Sequence, residues 1–213
     1  MKAVAIVPVK RFAEAKQRLA PGIGDERRQA LAAAMLEDVL AAIGQARTVA
    51  RTIVVSGDPR AQEIAAAAAA EVVPDPADEG HSLAAQAGIA RAEVEGADCA
   101  VLLPGDCPLL EGRDLDRLLT GLPARYVAIV PDRHDSGTNA LVLSPPTAIE
   151  PAFGEGSRDR HIAAARAAEI PYEVEEVPSL ALDVDTPADL VALTREIEAR
   201  QGRAKRTARA LRL

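Results

Sequence analysis

Short runs rich in β-branched residues alternate with longer segments rich in Ala and Leu along the first half of the chain. Four of the short runs predict strands: AVAIVPV (3–9), TIVVS (52–56), EVV (71–73) and DCAVLLP (98–104). The longer segments between them predict helices over 25–43, 58–70 and 82–94. Asp58 followed by Pro59 gives the second of these helices an N-cap and a proline at its first position.

In the second half of the chain, predicted strands and helices alternate less regularly. EGRDLDRLLTGL (111–122) predicts another helix, and YVAIVPD (126–132) and NALVLSP (139–145) predict two strands joined by a loop. A helix over 157–170 and a half-exposed strand, YEVEEV, come next. LALDV (180–184) predicts a last strand that runs directly into a C-terminal helix capped by Thr186 and Asp189.

Strands that alternate with helices predict a single-domain α/β fold, with a Rossmann-like, mostly parallel mixed sheet and helices on both faces. The 213 residues are enough for one such domain, which we assign to residues 1–199. Residues 200–213 carry six basic residues and no acid, and they are expected to form a solvated, frayed tail; a contact with an anionic partner is the alternative.

Composition excludes several kinds of partner. The net charge is −7 and only 2% of the residues are aromatic, with no Trp, which argues against nucleic-acid binding. The apolar run at the N-terminus is too short for a signal peptide or a membrane span. Two cysteines, Cys99 and Cys107, make no disulfide framework, so a cytoplasmic location is expected.

Three acidic residues follow two apolar segments. Asp106 comes after DCAVLLPG, and Asp183 and Asp185 alternate with Val184 in LDVD, which places both acids on one face of an extended segment. Ligands of such α/β sheets bind at the carboxyl ends of the strands. Acids held close together there repel one another unless a cation lies between them, and oxygen ligands of this kind suit Mg²⁺. A turn-forming role for Asp106 is the alternative.

Cations and hydrogen-bond donors are expected at the same edge of the sheet. The loop KRFAEAKQRLAP after the first strand carries Lys10, Lys16 and Arg18, and the chain has neither a dinucleotide fingerprint nor a P-loop. In FGEGSRDRH, glycines precede a helix start where the backbone of Ser157 and the side chain of Arg158 could receive an anion. A solvated loop and a capped helix with exposed arginines are the alternatives. The three histidines show no zinc spacing and are expected to be non-catalytic.

Taken together, five motifs resemble the 2-phospho-L-lactate guanylyltransferase family of coenzyme F420 biosynthesis. They are PVKRFAEAKQRL, PGDCPL, SGTNAL, FGEGSRDRH and LDVDTPADL, and they extend to about residue 195. The resemblance implies a fold like that of nucleotide-diphospho-sugar transferases, Mg²⁺ as cofactor, GTP as donor, and a small phosphorylated acid as acceptor. The acceptor is 2-phospho-L-lactate, 3-phospho-D-glycerate or phosphoenolpyruvate, and SGTNAL followed by SPP weakly disfavours the last.

The resemblance also assigns roles to individual residues. Asp106, Asp183 and Asp185 match the metal ligands, and Lys16 matches the lysine that faces the triphosphate, with Lys10 and Arg18 beside it. Thr138, Gly154 and Ser157 match the phospho-acid site. GHSLAAQAG, with Gly80 and Ser82, matches the base-side motif, but Ala84 stands where the family commonly has Asn.

Other functions stay open at this point. A related nucleotidyltransferase of the molybdenum-cofactor or sugar-phosphate type would use the same acids. A nucleotide-binding module without turnover would need no such set of acids. A homodimer and a hand-off of the product to a downstream transferase are also left open.

Overall fold

A computed structural model describes residues 1–75, 77–200 and 202–212, apart from the side chains of residues 20 and 21. The strands are β1 (Ala3–Val9), β2 (Val49–Ser56), β3 (Glu71–Pro74), β4 (Cys99–Leu102), β5 (Tyr126–Pro131), β6 (Thr138–Ser144) and β7 (Tyr172–Val174). The helices are α1 (Ala20–Ile23), α2 (Asp25–Ile43), α3 (Pro59–Ala67), α4 (His81–Val94), α5 (Gly112–Leu119), α6 (Ser157–Ala167), α7 (Pro187–Ala199) and α8 (Lys205–Leu211).

The strands form one sheet in the order β3-β2-β1-β4-β6-β5-β7. β6 pairs antiparallel with both β4 and β5, whereas the other pairs are parallel. The predicted mixed, mostly parallel α/β sheet is therefore confirmed. None of the described helices has the length and apolar character needed to cross a bilayer.

Both faces of the sheet are covered, which explains why its central strands are apolar throughout. Along β1, Ala3, Ala5 and Val7 pack in one core cluster with α2, α3 and α5. Val4 and Ile6 pack in a second cluster on the opposite face, with α4 and α6.

One glycine allows helix α4 to approach β1 closely. A Cβ atom at Gly88 would lie 2.4 Å from Cγ2 of Ile6. Since real Cβ atoms do not come that close, an alanine here would push α4 away from the sheet. The contact fixes the distance between α4 and the sheet. The first turn of α4 reaches the carboxyl edge of the strands.

The predicted strand over 180–184 is wrong. This segment forms no strand, although Val184 is buried and Asp185 is exposed, as alternation predicts. At the carbonyl of Leu180, side chains take the place of a strand partner: Asn139 Nδ2 donates to it at 2.7 Å, and the thiol of Cys107 lies 3.5 Å from the same oxygen. The helix start that follows has the predicted capping box of Thr186 and Asp189, with Pro187 in the first turn.

The expectation of a frayed C-terminal tail is also wrong for residues 205–211, which form α8 against α2. The buried carboxylate of Asp38 in α2 accepts hydrogen bonds from the backbone N–H groups of Arg206 and Thr207, at 3.2 and 2.8 Å. A cap supplied by a residue 168 positions earlier has no local sequence signature, so the basic composition alone suggested a solvated end.

Candidate functional site

Asp106 lies in the turn that follows β4, at the carboxyl edge of the sheet. Just after β4, the backbone N–H of Leu103 donates a last hydrogen bond to the carbonyl of Ile6 in β1, at 2.9 Å. The Asp106 side chain is 22% exposed, and its Oδ1 atom is buried without a hydrogen-bond partner in the described structure. A buried carboxylate oxygen with no donor is costly, which marks this atom as a site for a ligand.

Lys16 links Asp106 to Asp185. Its ammonium contacts Asp106 Oδ2 and lies 2.6 Å from Asp185 Oδ1. Burial by itself would lower the pKa of Lys16, but the two carboxylates outweigh it and raise that pKa. The lysine is therefore charged at neutral pH and offsets part of the negative charge of two acids that are far apart in sequence.

The loop that carries Lys16 is held in place by a buried arginine. The guanidinium of Arg28 donates to the carbonyls of Phe12 and Ala13, both at 2.9 Å, and also contacts the carbonyl of Ala15. Lys16 itself has a positive φ of 57°. Three carbonyls fixed by one guanidinium help to keep the chain in this uncommon conformation.

Asp183 reaches the same cleft from the irregular segment before α7. Asn139 donates to its Oδ1 at 3.2 Å. Burial and the negative charge of Asp106 raise the pKa of Asp183, and the hydrogen bond from Asn139 opposes this. Burial is the larger cause of the shift, and Asp106 adds to it as a second negative charge in the same cleft.

The opposite wall of the cleft presents hydroxyl groups. Thr138 at the start of β6 hydrogen-bonds to Nδ1 of His161, with 3.0 Å between Oγ1 and Nδ1. Ser157, the first residue of α6, is buried, and its Oγ has no hydrogen-bond partner in the described structure. Gly156 before it adopts a left-handed conformation, which turns the backbone into the 11-residue helix. A free hydroxyl at a helix start suits an anion. The backbone N–H groups of Ser157 and Arg158 already donate to the carbonyls of Gly154 and Ser136, at 3.0 and 3.2 Å.

Two adjoining cavities meet at the acids. The larger, of about 630 Å³, is lined by the following predicted residues: Arg18, Asp106, Thr138, Gly154, Ser157, Asp183 and Asp185. The smaller, of about 260 Å³, includes Lys10 and Lys16. Asp106, Asp185, His81 and Pro104 line both cavities. Whatever occupies one cavity therefore meets the occupant of the other at these carboxylates.

Some predicted residues lie outside these cavities. Gly80 is the N-cap of α4, with a φ of 122°, and Ser82 accepts a hydrogen bond from the N–H of Phe153 at 3.0 Å. Arg158 contacts Asp135 and Asp159, at 3.1 and 3.2 Å, instead of facing the cleft. Ala84 is buried against the sheet. The position at which the family commonly has Asn is thus part of the core in this chain.

Three residues at or behind the site were not predicted: Arg28, His81 and His161. Arg28 shares one buried face of α2 with Leu31, Ala32 and Met35, so helical spacing could have identified it as a buried cation. Burial lowers the pKa of His81, whose ring packs edge-on against Phe153 with 4.8 Å between centroids. No sequence signal distinguishes His161 from an ordinary helix residue.

The carboxylates have the chemistry of a divalent-cation site, although in this conformation no cluster of three or more potential metal ligands is formed among the described side chains. Lys16 supplies the positive charge between Asp106 and Asp185. The unpartnered Oδ1 of Asp106 and the all-oxygen donor set fit a hard cation such as Mg²⁺.

Comparison with known proteins identifies close relatives. A family model described as "Guanylyl transferase CofC like" matches residues 3–212. A phosphoenolpyruvate guanylyltransferase of Conexibacter woesei is 47% identical over 97% of this chain and 94% of its own length. One of the same name from Sphaerobacter thermophilus is 42% identical, covering 91% and 93%. A 3-phospho-D-glycerate guanylyltransferase of Phenylobacterium zucineum is 39% identical, covering 91% and 90%.

Solved structures share the fold. A protein of Desulfovibrio desulfuricans G20, described as a nucleotide-diphospho-sugar transferase, superposes with a TM-score of 0.77 at 18% identity, covering 100% of this chain and 95% of that one. A CMP:2-keto-3-deoxy-manno-octonic acid synthetase complexed with CTP superposes with a TM-score of 0.64, also at 18% identity, covering 94% and 100%. The predicted transferase-like fold is confirmed.

Proposed function

The chain belongs to the CofC-like guanylyl transferases, and on that premise we propose that it transfers GMP from GTP to a small phosphorylated carboxylic acid, with release of pyrophosphate. We take phosphoenolpyruvate as the first candidate acceptor, because the relatives at 47% and 42% identity carry that name. This choice goes against the SGTNAL pattern, which weakly disfavours phosphoenolpyruvate. 3-Phospho-D-glycerate is the second candidate, from the relative at 39% identity. Coenzyme F420 biosynthesis is the corresponding pathway.

The observation that supports the proposal is that the carboxylates of Asp106 and Asp185 line both cavities. Lys10 and Lys16 line the smaller cavity and suit the triphosphate of the nucleotide. The hydroxyl groups of Thr138 and Ser157 in the larger cavity suit the phospho-acid. Two anions that must react are thereby brought together beside Asp106 and Asp185, where charge has to be neutralised.

In the proposed reaction, a phosphate oxygen of the acceptor attacks the α-phosphorus of GTP. The new oxygen–phosphorus bond forms as the bond to the β-phosphate oxygen breaks, and the electron pair leaves with pyrophosphate. Because the second pKa of a phosphate monoester is about 6, the attacking oxygen is already ionised at neutral pH. The acids and Lys16 therefore need not remove a proton.

Lys16 has two tasks in this scheme. Before substrates bind, it offsets one of the two negative charges of Asp106 and Asp185. With GTP present, its ammonium offsets the charge that builds up on the pyrophosphate, assisted by Lys10 or Arg18. The loop anchored by Arg28 holds the backbone around Lys16 while its long side chain changes partners.

We further propose that Asp106, Asp183 and Asp185 hold Mg²⁺. When bound, the ion would supply positive charge and orientation for the phosphates of both substrates. The unpartnered Asp106 Oδ1 supports this assignment, as does the position of all three acids in one cleft. Chelation by EDTA should abolish turnover, and added Mg²⁺ should restore it. Full activity after exhaustive chelation would refute a divalent-ion requirement.

The test of the function is a matrix of substrates. The protein is incubated with Mg²⁺, each of the four ribonucleoside triphosphates, and phosphoenolpyruvate, 3-phospho-D-glycerate or 2-phospho-L-lactate. We expect pyrophosphate and a guanosine diphosphate diester, detected by mass spectrometry, only with GTP. Turnover with CTP and a sugar phosphate would favour a sugar-nucleotide enzyme instead. Nucleotide binding without pyrophosphate in any combination would favour a binding module. The cytoplasmic location, a homodimer and a hand-off partner stay predictions.

A further inference from the structure

His161 is a fully buried histidine behind the wall of the larger cavity. One ring nitrogen, Nε2, accepts a hydrogen bond from the backbone N–H of Ala152 at 2.9 Å. The other, Nδ1, lies 3.0 Å from Oγ1 of Thr138. The ring of Phe153 packs edge-on against it, with 5.3 Å between centroids. His161 itself does not line the cavity, whereas Thr138 does.

These contacts determine the tautomer of the imidazole. A backbone N–H can only donate, so Nε2 must present its lone pair to Ala152 and cannot carry a proton. The ring proton of the neutral imidazole must then be on Nδ1, which donates it to Thr138 Oγ1. Burial, with a smaller contribution from the positive charge of Arg160, lowers the pKa of His161 to about 4, so the ring is neutral at physiological pH.

The direction of this hydrogen bond constrains the hydroxyl of Thr138. Since Oγ1 accepts from His161, the hydroxyl proton must be donated elsewhere, and no carbonyl or carboxylate among the described residues accepts it. The proton is therefore available to a ligand in the cavity. With the opposite tautomer, Thr138 would donate to the ring and present only lone pairs, which would repel an anion.

We propose that His161 is a positioning residue that orients the Thr138 hydroxyl as a donor toward the anionic groups of the acceptor. Carboxylate and ionised phosphate oxygens only accept hydrogen bonds, so a donor held in a fixed direction favours them over neutral or protonated ligands. This inference rests on the proposed function, because it assumes that a phospho-acid occupies the larger cavity.

Two substitutions at position 161 separate the two hydrogen bonds. In His161→Asn, the amide NH₂ lies near the former Nδ1 and can still donate to Thr138, but the contact with Ala152 is lost. In His161→Gln, the longer side chain can place its carbonyl near the former Nε2 and accept from Ala152, but the donation to Thr138 is lost. A role confined to anchoring the loop at Ala152 predicts that His161→Asn is the more damaging change.

The proposal predicts the reverse order in steady-state kinetics. We expect His161→Gln to raise the KM for the phospho-acid by roughly 10- to 100-fold, the range for a lost hydrogen bond to a charged group. Its kcat and its KM for GTP should change by less than about threefold, because the lost contact binds ground state and transition state alike. His161→Asn should keep the acceptor KM within about threefold of wild type. Equal effects, or a larger effect of His161→Asn, would overturn the proposal.

A measurement on the wild-type protein tests the proposal even if the variants fail to fold. Nitrogen-15 chemical shifts of selectively labelled histidine distinguish an Nδ1–H from an Nε2–H imidazole. His161 should show the Nδ1–H form at pH 7, and an Nε2–H form would overturn the proposal whatever the variants do. A Thr138→Val background provides a further check, because the difference between His161→Asn and His161→Gln should disappear in it.

Failure of the inference can be told from failure of the proposed function. If wild-type protein makes no guanosine diphosphate diester with any phospho-acid, the proposed function fails, and with it the premise of this inference. If wild-type protein turns over and the two variants at position 161 do not differ in acceptor KM, the function stands and the role of His161 is refuted.

Discussion

The ammonium nitrogen of Lys16 lies 2.6 Å from a carboxylate oxygen of Asp185, although 169 positions separate the two residues. Lys16 follows the first strand of the sheet, and Asp185 precedes a helix near the end of the chain. Asp106 joins the pair from the turn after the fourth strand. Three remote parts of the chain thus contribute one cluster, a lysine between two acids, at the carboxyl edge of the sheet, where ligands of such folds bind.

Asp106→Asn should leave the fold intact and lower kcat by about 100-fold or more, because the neutral amide loses the charge of a proposed cation ligand. The side chain keeps its size, so the melting temperature should stay close to that of wild type. Pyrophosphate release measures the first effect and thermal unfolding the second. Asp98→Asn is the matched control, since Asp98 is 60% exposed at the opposite end of the same strand. A folded Asp106→Asn variant with near-normal turnover would remove this acid from the mechanism.

Lys16→Met should lower kcat/KM for GTP by about 100-fold, because it removes the main cation proposed at the leaving pyrophosphate, which Lys10 or Arg18 only assists. The methionine stem fills a similar volume, so the loss is one of charge. Initial rates at varied GTP would measure it. Lys205→Met, on the exposed surface of α8, serves as the control and should behave as wild type. An unchanged KM and kcat for GTP in Lys16→Met would rule out contact between this lysine and the triphosphate.

Stability should depend on pH through His161. Its folded-state pKa of about 4 is below the ordinary value of 6.5, so the unfolded chain binds more protons between these values. The free energy of unfolding should therefore fall as the pH drops from 6.5 toward 4, by up to roughly 3 kcal/mol from this group. Chemical denaturation at several pH values would measure the slope.

The contribution of His161 to that slope can be isolated by substitution. His161→Asn should flatten the dependence of unfolding free energy on pH in this window, whatever its effect on absolute stability. Parallel curves for wild type and His161→Asn would show that His161 is protonated equally well in the folded and unfolded chain.

Asp38→Ala should destabilise the protein by about 1–2 kcal/mol, because it removes the acceptor for two N–H groups at the start of α8. Glu37→Ala is the matched control: Glu37 lies next to Asp38 and makes a partly exposed ion pair with Arg206, 3.2 Å apart, which should contribute less than about 1 kcal/mol. Urea titration would compare them. Since neither residue lines the candidate site, kcat should be unchanged in both. Equal stability of the two variants would contradict the capping role.

The sequence by itself determined most of the secondary structure and the class of fold, but not the path of residues 180–184 or the helix α8. Apolar runs such as Ala3–Val9 and caps such as Asp58 and Thr186 act through neighbouring residues, so their consequences can be deduced locally. The ordering of five motifs also indicated the family. The expectation that Asp106, Asp183 and Asp185 lie at one edge of the sheet followed from the rule for parallel strands, and all three line the same cleft.

Only the tertiary structure decided which groups meet. Four sets of contacts join separate segments of the chain: Lys16 with two acids, Arg28 with three loop carbonyls, His161 with Thr138, and Asp38 with the start of α8. The irregular path of residues 180–184 likewise depends on a hydrogen bond from Asn139 to Leu180. Such pairings depend on the distances and directions that the folded sheet imposes. No periodicity within one segment carries that information, because it reports only which face a residue occupies and not what lies opposite.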